Sequence, residues 1–206
     1  MKQATRLRLL FWLPVLAALG WSGVAPHDRG VWLAEVMPVL IALPILAATA
    51  RRFPLTPLCD GLMAFFALIL IVGGAYTYSR VPLGLWLQDA FELARNPYDR
   101  IGHVFQGVTP AILARELLLR TSPLRPGKWL FAVVALSCLG ISAAYELVEW
   151  AAAVFWGDGS ADFLGTQGDP WDAHWDMFLA LLGALGAQLL LGRWHGRQLR
   201  ALTRGY

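Results

Sequence analysis

Residues 142–176 read SAAYELVEWAAAVFWGDGSADFLGTQGDPWDAHWD, and this stretch decides what kind of fold the chain adopts. Glu146 and Glu149 sit inside an apolar run, while Asp169, Asp172 and Asp176 stand at the mouth or start of the next one. Ionisable groups are expensive to keep in hydrocarbon, so carboxylates in such a setting usually mark a site. The rest of the chain supplies the hydrocarbon setting. Of its 206 residues 57% are hydrophobic and 15% charged, with a mean hydropathy of +0.53. An average soluble domain is about 45–50% apolar and about 25% charged.

Apolar runs near the ~20 residues that span a bilayer recur at about 9–25, 31–50, 58–78, 101–119, 129–156 and 171–191. The expectation is an all-α polytopic transmembrane bundle of about six spans, forming a single integral membrane domain over residues 1–206. The first run follows Lys2, Arg6 and Arg8 and resembles a leader. It reads better as a retained helix, because it is long and Gly23-Val24-Ala25 is followed by Pro26. Cys59 and Cys138 lie in or beside different runs, with no disulfide or metal spacing between them.

Details within the runs follow from local chemistry. Pro38 and Pro44 should kink or loosen the second helix. Glu35, near its start, reads as a solvated end carboxylate. Asp60 reads as the cap or first residue of the third helix, and Gly73-Gly74 as a point of close helix packing. Residues 79–99 are too short and polar to span. Leu83, Trp86, Leu87, Ala90, Phe91 and Ala94 recur at helical spacing opposite Gln88, Asp89, Glu92 and Arg95. That pattern predicts an interfacial amphipathic helix between spans three and four, ended by Asn96-Pro97; it could also pack over the bundle as a lid.

Charge gives the orientation. Basic residues fall at the N-terminus, at 51–52, at 115–128 and in a tail with Arg193, Arg197, Arg200 and Arg204. The alternate connectors, 26–30, 79–99 and 157–170, are mixed or acidic. Basic residues on alternate loops place both termini in the cytoplasm. The same scatter excludes a nucleic-acid surface and makes the lipid bilayer the expected partner.

Orientation turns separate residues into one layer. The fourth run, IGHVFQGVTPAILARELLL, carries His103, Gln106, Thr109, Pro110, Arg115 and Glu116, so its polar stripe must face inward. His103 is about one turn deep from the outer end. Glu146 lies roughly 26 Å along the fifth helix from Trp129 at 1.5 Å per residue, Glu149 one turn further out, and Asp172 and Asp176 in the first turns of the sixth. His103, Glu146, Glu149 and Asp176 are therefore the candidate catalytic residues. Clustered carboxylates with one imidazole suit a divalent metal ion, with His103, Glu149 and Asp176 as its expected ligands. Asp99, Arg100, Gln106, Gln167 and Asp172 are the expected substrate-binding residues, Arg100 as the group that holds an anion. The loop Gly165-Thr166-Gln167-Gly168-Asp169 can present backbone amides to an anion, but no helix-opening lysine follows, which excludes a P-loop. Asp172 serves equally well as a helix cap. His174 points away from the 172/176 face, and Glu116 reads as a local ion pair with Arg115 and Arg120.

The runs YDRIGHVFQGVTPAILARELLLR, SAAYELVEW and FLGTQGDPWDAHWDM resemble the YjdF-type inner membrane proteins of bacteria. The likeness covers nearly the whole chain and is strongest over residues 98–186. It implies a multi-pass protein of the bacterial inner membrane and supplies no reaction. A shorter likeness, to VanZ-like membrane proteins, rests on Asp99-Arg100-Ile101-Gly102-His103, on Glu146 or Glu149, and on Asp176 with Gly183 and Gly186. It implies that Asp99, His103, one glutamate of the fifth span and Asp176 share a site.

Three functions remain open on the sequence. One is an outward-facing His/Glu/Asp site that binds a divalent cation or polar lipid headgroup and acts on a lipid-linked substrate. The second is a transporter or proton-coupled permease using the same carboxylates, against which the apolar residues 131–141 argue. The third is a structural or assembly protein with a polar packing layer.

Overall fold

The computed structural model describes residues 2–156 and 166–204. These form seven α-helices and one short 3-10 turn, with no strand among the described residues. The helices are α1 Lys2–Val24, α2 Arg29–Thr49, α3 Pro57–Tyr76, α4 Pro82–Ala90, α5 Tyr98–Thr121, α6 Lys128–Trp156 and α7 Asp172–Arg204. Four of them, α2, α3, α6 and α7, are long and apolar enough to cross a membrane. The acidic connector read at 157–170 lies, for residues 157–165 and so for Gly165, outside the described residues.

Helix α3 is the most buried of those four. It packs against α1, α2 and α5, while α5 packs chiefly on α7 and also on α6. The outer surface is apolar: Leu190 is 81% exposed and Phe155 84%. A soluble fold hides such side chains, whereas a bundle in lipid turns them outward, since hydrocarbon solvates leucine as well as a protein core does.

Glycines set the closest approaches. A Cβ on Gly107 would lie 1.9 Å from the carbonyl oxygen of Ala180, and one on Gly183 would lie 2.2 Å from that of Val104. The α5/α7 crossing is thus backbone against backbone. Gly74 likewise meets the Glu35 Cβ and the Trp32 backbone, as the paired glycines suggested.

Several local expectations are refined or corrected. Thr56 caps α3, its side chain accepting from the Cys59 amide, and Asp60 lies in the first turn. Asp60 also accepts from Arg8 Nε at 2.7 Å, tying α1 to α3. Helix α2 spans Arg29–Thr49 with Pro38 and Pro44 inside it, which leaves the expected kink or loosening untouched, and is capped by Asp28, whose carboxylate accepts from the Val31 amide. Between α3 and α5 the helix is only Pro82–Ala90, shorter than the amphipathic pattern of 79–99 implied. It stops where Glu92 adopts a left-handed φ of 51° and the Leu93 amide turns back to the Gln88 carbonyl; Asn96, further on, is buried. Asn96 Nδ2 donates to the carbonyls of Ser79 and Val81, and its Oδ1 accepts from the Tyr98 amide. Finally, α7 does not give way to a tail at 191. Ala180, Ala184, Ala187, His195 and Leu199 continue one buried face at three-and-four spacing, so the helix runs on to Arg204.

Candidate functional site

Helix α5 carries the centre of the site because its polar residues repeat on one face. Asp99, His103 and Gln106 are buried there against α6 and α7. Gln106 Oε1 lies 2.8 Å from His103 Nδ1. With that oxygen accepting, Nδ1 carries the hydrogen and the Nε2 lone pair is left for other use. Nε2 faces Asp99 Oδ1 at 3.4 Å and Asp176 Oδ2 at 3.9 Å. On the other edge of the ring, Glu146 Oε1 is 3.9 Å from Nδ1.

Two groups of potential metal ligands therefore share one imidazole. Asp99, His103 and Asp176 form the first, and His103, Glu146 and Glu149 the second; within each, candidate ligand atoms lie within 4.8 Å of one another. The expected ligand set His103, Glu149 and Asp176 is split between them, since Asp176 stands on the α7 side of the ring and Glu149 on the α6 side. Gln106 stands on Nδ1, the nitrogen nearer Glu146, and Asp99 and Asp176 stand on the Nε2 edge. Among the described residues Asp176 Oδ1 and Glu146 Oε1 are buried and lack a hydrogen-bond partner. Asp176 is only 2% exposed, so its orphaned oxygen carries a large desolvation cost unless a cation or proton meets it.

Asp172 opens α7 and is held by Arg95, whose Nη1 bonds both its carboxylate and the Thr166 carbonyl. Arg95 Nη2 also reaches Asp99 at 3.4 Å. Arg95 is therefore the cation at the rim of the site, not Arg100. Arg100 turns to Asp169 at 2.9 Å and lies over the Trp175 ring. Gln167 is also occupied structurally. Its side chain accepts from the Asn96 amide and donates to the Asn96 carbonyl. Gln167 (φ 48°) and Gly168 (φ 87°) form the centre of a turn closed by Asp169 N to Thr166 O, the two left-handed positions of a type I′ turn. His174 is exposed, as its helical position implied.

Beside the imidazole lies a cavity of about 230 Å³, lined by Glu35, Tyr78, Asp99, His103, Tyr145 and Glu149 among others. Glu35 is the largest departure from the sequence reading. It is 4% exposed rather than solvated, and it accepts from the Tyr145 hydroxyl at 3.1 Å. The signal for it was present: a carboxylate one turn before Pro38 inside an apolar run. Tyr145 was hidden by its neighbour Glu146, and Arg95 by its place in an amphipathic pattern.

A second apolar groove of about 950 Å³ runs between α2, α5 and α6 and includes Met37, Ile41, Leu113 and Val148. It shares Pro38 and Tyr145 with the polar cavity. The groove exists because α2 packs on α3 and barely touches α5 or α6.

At the opposite end Glu116 is fully buried in a network of its own. It accepts from the Thr56 amide and hydroxyl, from Arg120 at 2.8 Å and from His195 Nε2 at 2.9 Å. Arg115 does not pair with Glu116; it donates to His195 Nδ1 at 2.8 Å. Arginine can only donate, so His195 is the Nε2–H tautomer, bridging guanidinium and carboxylate. His195 is missing from the sequence reading because it sits among arginines that resembled a solvated tail.

The whole of this arrangement lies within the segment that other proteins share. No solved structure matches the chain. The chain is 52% identical over 188 residues to "Inner membrane protein YjdF" of Escherichia coli (strain K12), covering 91% of this chain and 90% of that protein. Residues 7–197 match the family described as "Predicted membrane protein (DUF2238)". With nearly its full length matched, and the fold and polar layer both inside the match, the chain belongs to the DUF2238 family of membrane proteins.

Proposed function

We propose that this is a multi-pass inner membrane protein whose outward-facing site binds a divalent cation at Asp99, His103 and Asp176 and acts on the headgroup of a lipid-linked substrate. The carrying observation is the imidazole of His103, fixed through Nδ1 by Gln106, with Nε2 turned to two buried carboxylates. One nitrogen and two oxygens suit a borderline-to-hard divalent ion such as Mn²⁺ or Zn²⁺. When bound, such an ion polarises a headgroup oxygen or a water. Glu146 and Glu149 stand across the ring as acid/base partners. Arg95 lies at the rim with Asp172 and Asp99. The same Asp99, His103 and Asp176 carry the likeness to VanZ-like proteins.

The apolar groove supports the lipid-linked part of the reading. It opens between α2 and α6, and its end at Pro38 and Tyr145 is the wall of the polar cavity. An acyl or prenyl chain in the groove would leave a headgroup beside Glu35, Glu149 and His103.

The same reading counts six spans in one membrane domain, adding α1 and α5 to the four apolar helices. Residues Arg8–Val24 of α1 are apolar, and α5 crosses because its polar face is wrapped by its neighbours. Helix α4 lies at the outer interface with Leu83, Leu85 and Trp86 exposed. Arg51, Arg125 and Arg193 mark the cytoplasmic side with both termini. The close α5/α7 crossing at Gly107 and Gly183 leaves little room for the polar path a permease needs.

Metal content of the full chain tests this function. Protein purified in detergent, stripped with chelator and reloaded with Mn²⁺ should retain about one ion per chain, as a single His/carboxylate site implies. Retention by His103→Ala equal to that of the unaltered chain would remove the proposal.

A further inference from the structure

Toward α2 and α6 the imidazole of His103 walls the cavity of about 230 Å³, and the charge on that wall is acidic. Glu35 from α2, Asp99 from α5 and Glu149 from α6 line it, and among the described residues no lysine or arginine does. Asp99 has Arg95 at 3.4 Å. Glu35, 4% exposed, accepts from the Tyr145 hydroxyl, which brings no charge to it.

Glu146 adds a second, independent observation. Glu146 and Glu149 bring carboxylate oxygens within 4.8 Å of one another and of a His103 nitrogen. The Glu146 side chain is only 10% exposed, and its Oε1, 3.9 Å from His103 Nδ1, has no hydrogen-bond partner. Carboxylates crowded in this way inside a membrane bundle are offset by a cation among them.

Size and lining narrow the kind of cation. The cavity is several times the about 30 Å³ that one water takes in the liquid, so it holds more than a bare ion. Phe66, Tyr78 and Tyr145 give it aromatic sides, which suit an organic cation. A primary ammonium has three N–H donors, and the carboxylates of Glu35 and Glu149 and the Tyr145 oxygen can accept them. A quaternary ammonium has no N–H to offer those oxygens. A neutral, hydroxyl-rich headgroup leaves their charge unbalanced in a buried setting.

The cavity shares Pro38 and Tyr145 with the apolar groove of about 950 Å³. An amine on a lipid can place its chains in that groove, whereas a free amine gains nothing from it. We infer that the Glu35/Glu146/Glu149 side of the site binds the primary ammonium of an aminophospholipid headgroup. This rests on the lipid-headgroup reading proposed above and names the headgroup; it does not rest on a cation being bound at Asp99, His103 and Asp176.

The test follows the thermal transition of the full chain, stripped of metal in detergent, by tryptophan fluorescence. Phosphatidylethanolamine should raise the melting temperature by several degrees, because a ligand of the folded state stabilises it. Phosphatidylcholine and phosphatidylglycerol with the same acyl chains should not. Glu35→Gln, which keeps the side-chain shape, should lose the phosphatidylethanolamine increment. Asp89→Asn, which removes one negative charge at an exposed position on α4, should keep it. Should Glu35→Gln fail to fold, Glu149→Gln on the other helix should lose the increment as well. Equal shifts with all three lipids, no shift with phosphatidylethanolamine, or an increment that survives both glutamine variants would overturn the ammonium site. A full shift with free ethanolamine at the same concentration would overturn the lipid as its carrier. Mn²⁺ retention, measured in parallel, separates the two sites. Bound Mn²⁺ without a phosphatidylethanolamine increment removes this inference alone, and the increment without bound Mn²⁺ upholds it while removing the cation site.

Discussion

Gln106 Oε1 lies 2.8 Å from His103 Nδ1, and this contact fixes which edge of the imidazole is available. It spends the nitrogen facing Glu146 and leaves the one facing Asp99 and Asp176. A ligand-orienting partner of this kind typically contributes about 10–100-fold to metal affinity. Gln106→Leu should therefore weaken Mn²⁺ binding by roughly that factor, with helical circular dichroism unchanged. Calorimetric titration of the purified chain checks it, and unchanged affinity would mean that Gln106 does not set the tautomer.

The Glu116–His195 network should matter to stability and not to the outer site. His195→Leu leaves Glu116 and Arg115 without their bridge in a buried setting. Breaking a buried charged network by removing one partner costs about 3–5 kcal/mol, so the melting temperature in detergent should fall markedly. Mn²⁺ affinity, measured below the transition, should stay where it was. A fall in both would couple two ends that α5 here keeps apart.

Gly107 and Gly183 should tolerate no side chain. Each Cβ would strike a backbone carbonyl on the facing helix, at 1.9 Å and 2.2 Å. Relieving such an overlap means spreading α5 from α7, and overpacking of this kind costs about 1–3 kcal/mol. Gly186→Ala on the same helix meets nothing within 4 Å and serves as the control. Equal melting temperatures for Gly107→Ala and Gly186→Ala would show that the crossing is looser than drawn.

Sequence and structure part company for physical reasons. The helical class and the polar layer were legible, because apolar run length and ionisable residues in those runs are strong signals. Helical rise and orientation lead to the expectation of one layer with His103, Glu146, Glu149, Asp172 and Asp176, while Asp99 enters through the likeness to VanZ-like proteins. The contacts of Arg95, Asn96, Gln167 and Glu35 do not follow from either. Their roles depend on where the chain turns back on itself, and the left-handed residues Glu92 and Gln167 that direct those turns are not glycines. His195 was obscured by charge: four nearby arginines suggested water, while the buried face of α7 continued through them. Arg100 and Arg95 are both cations near the start of α5, and only their contacts tell that Arg95 faces the carboxylates.

Membrane orientation is open to a labelling experiment. Cys59 and Cys138 are buried, so exposed cysteines introduced at Glu92 and Arg125 can be read against a quiet background. In intact spheroplasts an impermeant maleimide should label Glu92→Cys, and it should label Arg125→Cys only after permeabilisation. The reverse pattern would invert the bundle and put the His103 layer on the cytoplasmic side.

The central claim is that Asp99, His103 and Asp176, on the Nε2 edge of the ring, form the cation site. Electron paramagnetic resonance titration of Mn²⁺ into the full chain tests it most directly when Asp176→Asn and Glu149→Gln are compared. Asp176→Asn should lose bound Mn²⁺, and Glu149→Gln should retain it. Loss in Glu149→Gln with retention in Asp176→Asn, or no bound Mn²⁺ in the unaltered chain, would contradict it.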